Sequence, residues 1–229
     1  MATRSRPQNR GADAPIRRLI DVCVAGALLV LLAPVLPAIA LVVKLTSRGP
    51  ALYKQIRVGR SGAPFTILKF RSMVVDADKG GPLITAHADP RITPVGAFLR
   101  ATKLDELPQF INVLKGDMTL VGPRPEVPRF IPFYTEAELE VLRVRPGLTG
   151  AAQIVYSVIE AEHGATDDPE LDYVNSELHE KLAIDLDYLQ HRGLRRDLTI
   201  LMDTCLLMSR NSRRAATPGS AAPTFPAAT

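Results

Sequence analysis

Two carboxylates stand side by side in Leu104-Asp105-Glu106-Leu107-Pro108, directly ahead of an apolar-periodic stretch. Inside a helix, neighbours point roughly 100° apart, so adjacent acids diverge. At a helix start they can converge. With Asp105 as N-cap, its carboxylate lies over free backbone N–H groups, and Pro108 in the first turn sacrifices no hydrogen bond. Such a helix start also favours anions, phosphate among them. An isolated Asp-Glu pair reads more simply as a cap followed by a first-turn Glu. Here the pair is accompanied by rigidly held cations. Val121-Gly122-Pro123-Arg124-Pro125 places one Arg between two prolines, and their fixed φ presents the guanidinium at little entropic cost. The planar fork of Arg matches phosphate oxygens. Arg145-Pro146-Gly147 repeats the idea more weakly. Lys69-Phe70-Arg71 puts two cations on one face of a strand, as a solvent-facing strand also would. Together these residue types point to phosphoryl chemistry between a carboxylate and fixed cations. The histidines, His87, His163, His179 and His191, show no metal-ligand spacing and read as surface or loop residues.

Ahead of these residues lies an apolar tract. Residues 22–43 are 22 positions without a charge, 19 of them apolar, and about 20 suffice to span a bilayer core as helix. The run is too long for a cleavable signal peptide. Pro34 and Pro37 interrupt it, and each removes a donor and kinks the chain. Arg17 and Arg18 precede it and Lys44 and Arg48 follow, which places both ends on the cytoplasmic side. A helix–break–helix that enters one leaflet and returns meets both observations. A kinked spanning helix is the alternative that composition leaves open. Broken backbone in lipid must find partners, so the bend should be packed or capped.

Further on, 51–57 and 64–70 read as a β-hairpin around Gly59-Arg60-Ser61-Gly62. Gly80-Gly81-Pro82 and Asp89-Pro90 mark a loop, and 95–101 a short helix. Leu107, Phe110, Ile111 and Leu114 share one face of a helix over 107–114, suited to lying in a membrane interface just after the dyad. Three prolines make 121–128 extended and stiff. A helix is predicted over 135–143, a turn over 145–150, a long acidic helix over 169–189 and an amphipathic or wholly apolar one over 198–208. From residue 211 the chain turns to Ala, Pro, Ser and Thr and is predicted to be disordered.

Composition narrows the class. The chain has 229 residues, 46% of them hydrophobic, which excludes a wholly disordered protein. Aromatics are 5% with no Trp, against a stacking platform for single-stranded nucleic acid. Cys23 and Cys205 lie in apolar surroundings, which excludes a disulfide scaffold and predicts thiols acting as small hydrophobes. The net charge of +4 is uneven: 44–79 sum to +6 and 136–187 to −10. Basic blocks beside an apolar segment fit a membrane face or a phosphorylated ligand. The acidic stretch and the lack of a binding motif speak against nucleic acid.

These features resemble one family, the bacterial monotopic phosphoglycosyl transferases, sugar transferases that start glycan assembly on polyprenol phosphate. The matching stretches are Arg18-Leu19-Ile20-Asp21, the Pro34-broken segment, Gly49-Pro50, Gln55-Ile56-Arg57-Val58-Gly59, Lys69-Phe70-Arg71-Ser72-Met73, Asp89-Pro90-Arg91-Ile92-Thr93, Leu99-Arg100, 104–109, 112–117, 121–125 and 145–150. They follow family order over about residues 15–208, with 99–125 the densest block.

The resemblance implies an α+β, small monotopic membrane enzyme. Its parts would be a flexible basic N-terminus (1–15), a re-entrant membrane helix (16–48), a catalytic domain on the cytoplasmic face of the inner membrane (49–210) and a disordered tail (211–229). The family's dyad falls on Asp105-Glu106, with Asp105 as nucleophile and Mg²⁺ ligand and Glu106 orienting the metal or handling a proton. Its phosphate-binding cations fall on Lys69, Arg100 and Arg124, and Arg71 and Arg145 join them as substrate-binding candidates. The implied partners are a UDP-sugar, polyprenol phosphate and inner-membrane lipid, with a homo-oligomer left open. UMP would leave as a sugar-phosphoryl aspartate forms, and polyprenol phosphate would then take the sugar phosphate. The chain departs from the family pattern in places. Ala33 stands where many members carry Ser before the bend, Pro37 is an additional breaker, and 160–172 is an acidic insertion with no Gly-Arg-Asn stretch after Gly150. A membrane-anchored binding protein and a glycosyltransferase that moves sugar without phosphate are the rival readings.

Overall fold

The computed structural model describes residues 14–77, 81, 89–159 and 169–216. The expectations for residues 1–13, for the loop at Gly80 and Pro82, for His87 and His163, for the acidic residues 160–168 and for the tail 217–229 lie outside the described residues.

The apolar tract forms α1 (Ala14–Leu31) and α2 (Val35–Thr46), bent by 63°. Among the described residues no single helix is long and apolar enough to cross a membrane, whereas the bent pair together is. The bend falls at Pro34, which lacks the N–H that would continue the helix. No side chain caps the break. The main chain closes it: Ala33 N–H donates to Val30 O at 3.2 Å, and the N–H groups of Val35 and Leu36 both donate to Leu32 O at 2.9 Å. Pro37 corrects an expectation. It sits in the first turn of α2, where an N–H has no helical partner to lose, so it adds no second kink.

Polar side chains fasten α1 to the rest of the molecule. Buried Asp21 accepts from Thr119 Oγ1 at 2.8 Å and from Leu120 N–H at 2.9 Å. Arg18 donates to the carbonyls of Val113 and Leu114 at 2.6 and 2.7 Å. Arg17 pairs with Asp197.

The predicted hairpin forms as β1 (Leu52–Val58) and β2 (Pro64–Phe70), antiparallel, with Leu52 opposite Phe70. A second, parallel pair joins β3 (Thr119–Val121) to β4 (Gly147–Thr149). The stretch 145–150 is therefore not the expected turn. Gly122 N–H donates to Thr149 O at 2.9 Å and Gly147 N–H to Pro123 O at 2.8 Å. A Cβ on Gly147 would collide with the Gly122 backbone, so the two Pro- and Gly-bearing motifs touch main chain to main chain.

The helices are α3 (Pro94–Ala101), α4 (Gln109–Lys115), α5 (Ala151–Ile159), α6 (Pro169–Asp172), α7 (His179–Gln190) and α8 (Leu194–Ala216). Three differences from expectation stand out. Glu138–Arg143 is a 3₁₀ helix, a π-helical stretch, Tyr173–Leu178, interrupts the acidic helix, and α8 continues to Ala216. The main core gathers Val113, Met118, Leu120, Phe130, Leu178 and Tyr188. A smaller one, Val43, Phe70 and Leu99, ties α2 to β2 and α3. Cys23 and Cys205 are both exposed rather than buried, because they lie on outward faces of α1 and α8.

Candidate active site

Leu104–Glu106 form one 3₁₀ turn between α3 and α4, entered through Lys103 in the left-handed region (φ 58°). Asp105 is thus not a helix N-cap. Pro108 holds that position, and no side chain caps α4. The two carboxylates end in opposite situations. Asp105 is 6% exposed, and its Oδ1 has no hydrogen-bond partner among the described residues. Glu106 Oε1 accepts from Lys69 Nζ at 2.8 Å and from Arg124 Nη2 at 3.1 Å.

The electrostatics follow from that geometry. Burial raises the Asp105 carboxyl above its ordinary range, and adjacent Glu106 raises it further; Lys69, Lys103 and Arg100 oppose them. Burial also pushes Glu106 upward, but the charges of Lys69, Arg124 and Lys103 reverse this and hold it well below the usual carboxylate range. Desolvation lowers Lys69, with Glu106 opposing. The turn therefore carries one carboxylate neutralised by cations and one with an oxygen left over.

Each cation has its own support. Lys69 lies on β2 opposite Tyr53. The free edge of β2 meets buried Asn112 of α4, whose Oδ1 accepts from Leu68 N–H at 3.1 Å and whose Nδ2 donates to Thr66 O at 2.7 Å. One side-chain amide thus completes the strand edge as a neighbouring strand would. This also changes the expected face of α4: Gln109, Asn112 and Val113 are buried, while Phe110, Ile111 and Leu114 are half-buried. Arg124 leaves β3, and Arg57 Nη1 braces the following Pro125 carbonyl at 3.1 Å. Arg100, in the last turn of α3, acts on Asp105 through space.

Arg71 and Arg145 are directed elsewhere. Buried Arg71 donates through Nη2 to Ser47 O and Oγ at 2.9 and 2.7 Å, joining β2 to the end of α2. Arg145 Nε donates to Gly116 O at 2.8 Å, after α4. His179 meets Glu138 at 2.8 Å and His191 lies near Asp187, both apart from the dyad. Lys103, which acts on both carboxylates, was not singled out by the sequence. Its signal is the Arg100, Lys103, Asp105, Glu106 charge run, which makes sense only once the turn folds back.

Beside the dyad, an apolar groove of about 370 Å³ opens between α2 and α3. Pro34, Ile39 and Val42 line one side, and Val95, Phe98 and Leu104 the other. Leu104 directly precedes Asp105, so the groove ends at the turn. Among the described residues no group of three or more His, Cys, Asp or Glu could hold a metal ion.

The chain matches the bacterial sugar transferase family over residues 12–211. It is 42% identical over 191 residues to a UDP-glucose:undecaprenyl-phosphate glucose-1-phosphate transferase of Caulobacter vibrioides, covering 82% of this chain and 67% of that protein. A protein of the same name from Escherichia coli is 41% identical over 198 residues, 85% of this chain but 40% of the relative. The exopolysaccharide production protein ExoY of Rhizobium meliloti is 34% identical over 230 residues, 90% of this chain and 93% of the relative. This chain thus spans two-thirds or less of the two named transferases and nearly all of the third relative. A match over most of its length, with the dyad and its cations inside it, shows that this chain belongs to the bacterial sugar transferase family.

Proposed function

We propose that the chain is a phosphoglycosyl transferase that moves a sugar 1-phosphate from a UDP-sugar to polyprenol phosphate at the cytoplasmic face of the inner membrane. The observation that carries this reading is the division of labour in the dyad. Glu106 is taken up by Lys69 and Arg124, while Asp105 Oδ1 stays unpartnered in a buried turn. In this reading an Asp105 oxygen attacks the β-phosphorus of the UDP-sugar. The bond from that phosphorus to the bridging oxygen breaks, and UMP departs with the electron pair. A sugar-phosphoryl aspartate remains. A phosphate oxygen of the acceptor then attacks the same phosphorus and releases the carboxylate. Lys69, Arg124 and Arg100 hold the phosphate charge that builds up. Glu106 keeps Lys69 and Arg124 aimed at that place.

The donor set fits Mg²⁺, which takes one or two carboxylates and completes its shell with phosphate oxygens and water. Asp105 Oδ1 would hold it, and when bound it screens the repulsion between carboxylate and diphosphate. The apolar groove supports an amphiphilic acceptor. An isoprenoid chain lying between α2 and α3 brings its phosphate to the dyad turn, near Arg100. The re-entrant reading rests on the 63° bend at Pro34 together with the basic residues on both flanks of the apolar tract, and it would keep the dyad turn near the headgroups.

Labelled UMP tests the mechanism. With Mg²⁺ present and polyprenol phosphate absent, UMP is expected to exchange into a UDP-sugar drawn from a panel that includes UDP-glucose. Asp105→Asn should fold and show no exchange, and Glu106→Gln should leave a trace. Direct attack by the acceptor requires both substrates at once and predicts zero exchange without lipid. Transfer of sugar alone predicts release of UDP and none of UMP. An active preparation that never exchanges UMP removes Asp105 as nucleophile.

A further inference from the structure

Arg57 carries a charge that no step above uses. It stands on β1, on the same face of the strand as Gln55, and its side chain is committed to fixed partners. Nε donates to Gln55 Oε1 at 2.8 Å, Nη1 donates to the Pro125 carbonyl at 3.1 Å, and Nη1 lies 3.6 Å from Glu126 Oε1. Glu126 is held in turn. Its Oε2 accepts from the Tyr173 hydroxyl at 2.7 Å, its Oε1 from Val127 N–H at 2.8 Å, and its carbonyl from Val58 N–H at 2.9 Å. Tyr173 opens the π-helical stretch, with its ring against Phe130 at 5.2 Å and under Lys181 Nζ at 4.9 Å. Burial, and then the Glu126 charge, raise the Tyr173 hydroxyl, so it stays a donor.

These contacts grip the two residues that follow Arg124. The Arg124 side chain is 45% exposed where it reaches Glu106, so burial alone does not fix it. Proline fixes φ and leaves ψ open, and ψ of Pro125 is set by whatever holds its carbonyl. Here that is Arg57. Charge is matched as well. Burial lowers the Arg57 guanidinium, Glu126 raises it, and Arg124 lowers it again as a nearby like charge. With Glu126 answering Arg57 and Glu106 answering Arg124, each guanidinium has its own carboxylate.

We propose that Arg57 is a positioning residue: seated by Glu126 and Tyr173, it fixes the Pro125 carbonyl and so the backbone from which Arg124 reaches the dyad and the phosphates of the donor. The phosphate role rests on the function proposed above; the clamp of Arg57, Glu126 and Tyr173 on residues 125–127 does not. Arg57→Lys keeps the charge but ends in one nitrogen, so it cannot meet Gln55 and Pro125 from two points of a planar fork. Tyr173→Phe keeps the ring against Phe130 and removes only the hydroxyl bond to Glu126.

The test is a double-mutant cycle in the lipid-free UMP exchange with UDP-glucose, using the full-length protein in detergent. Arg57→Lys should lower kcat/KM about tenfold, and the loss should shrink to about twofold or less when Arg124 is already Ala. Tyr173→Phe should lower it about threefold, with the same dependence on Arg124. Both losses should lie in KM, because a loosened Arg124 must be ordered when the donor binds. A merely destabilised protein has fewer active molecules, which lowers kcat at constant KM. Equal fold-losses in both backgrounds, as from a structural role or from Arg57 touching the donor itself, overturn the proposal. So does a loss in kcat alone, or full activity of Arg57→Lys. Full activity of Arg124→Ala overturns it too, and leaves Asp105 as nucleophile. A second readout needs no turnover. Pro123, Pro125 and Pro128 lack N–H groups, so residues 123–128 carry only the amide hydrogens of Arg124, Glu126 and Val127. Hydrogen–deuterium exchange there should show Val127 protected in the native protein and exchanging faster in both variants. Rapid exchange of all three amides in the native protein overturns the clamp even if Arg57→Lys fails to fold. A native protein that never exchanges UMP removes the mechanism proposed above instead, and the three amides then judge the clamp alone.

Discussion

Asp185 links residue chemistry to a measurable pH dependence. Its native carboxyl stands at about 7, above an unfolded value of about 3.9. A group raised on folding contributes stability that is complete below the unfolded value and lost as pH rises through the folded one. Glu106 is shifted the other way, so its contribution is complete above its unfolded value and lost only in acid. Between about pH 5 and pH 8 the Asp185 carboxyl therefore acts with Asp105, which burial also raises, and substituting Asp185 separates its share. The native protein should melt at a lower temperature toward the alkaline end of that window, and Asp185→Asn should flatten the trend. Parallel profiles for the two proteins would show that Asp185 does not titrate there.

At the scale of elements, the site depends on α4 gripping an unpaired strand edge. Asn112 supplies a donor and an acceptor to β2 two residues from Lys69. Asn112→Ala removes the hydrogen bonds to Leu68 N–H and Thr66 C=O, and at about 0.5–1.5 kcal/mol for each bond the expected cost is about 1–3 kcal/mol. Denaturant midpoints measure it. Asn112→Asp keeps the acceptor but sets a carboxylate against the Thr66 carbonyl and the Asp117 carboxylate, where the native amide donates at 2.7 and 3.2 Å, so it should be no more stable than Asn112→Ala. Equal stability of all three proteins would mean that the strand edge finds other partners.

At the scale of the whole molecule, the proposed re-entrant topology turns on the bend between α1 and α2. Pro34 occupies the break, and Pro37 sits in a turn that tolerates it. Pro34→Leu should favour a straight segment, because about 20 apolar residues as helix match a bilayer core. Pro37→Leu should leave the topology unchanged. Both native cysteines are exposed, so the measurement starts from Cys23→Ala, Cys205→Ala protein with one cysteine added near a terminus. In intact spheroplasts an external thiol reagent should label neither end of the parent or of Pro37→Leu, and should label one end of Pro34→Leu. Labelling of one end of the parent would indicate a spanning helix.

Local chemistry made much of this legible without coordinates. The β-hairpin follows from strand formers around Gly59 and Gly62, the break from Pro34, and the pairing of a carboxylate dyad with a proline-held Arg from the residues at 105, 106 and 124. These are short-range effects, fixed by φ restriction, charge and periodicity. Tertiary contacts decided the rest. Asp105 loses its expected cap because Leu104–Glu106 close into a 3₁₀ turn and Pro108 takes the capping position. Within the expected turn, Gly147–Thr149 become a strand because the backbone of Gly147 meets that of Gly122. Arg71 and Arg145 serve backbone carbonyls of other elements, which their flanking residues do not foretell. The apolar stripe on α4 yields its buried place to Asn112, since the β2 edge needs hydrogen bonds more than further apolar cover. Asp185 gives no sign in the sequence at all, because its hydrogen-bond partner is a main-chain group at Ala152, 33 residues away. Sequence determines which side chains can do chemistry and where the chain must turn; which of two adjacent carboxylates keeps a free oxygen depends on cations brought from other elements, and only the folded chain brings them there.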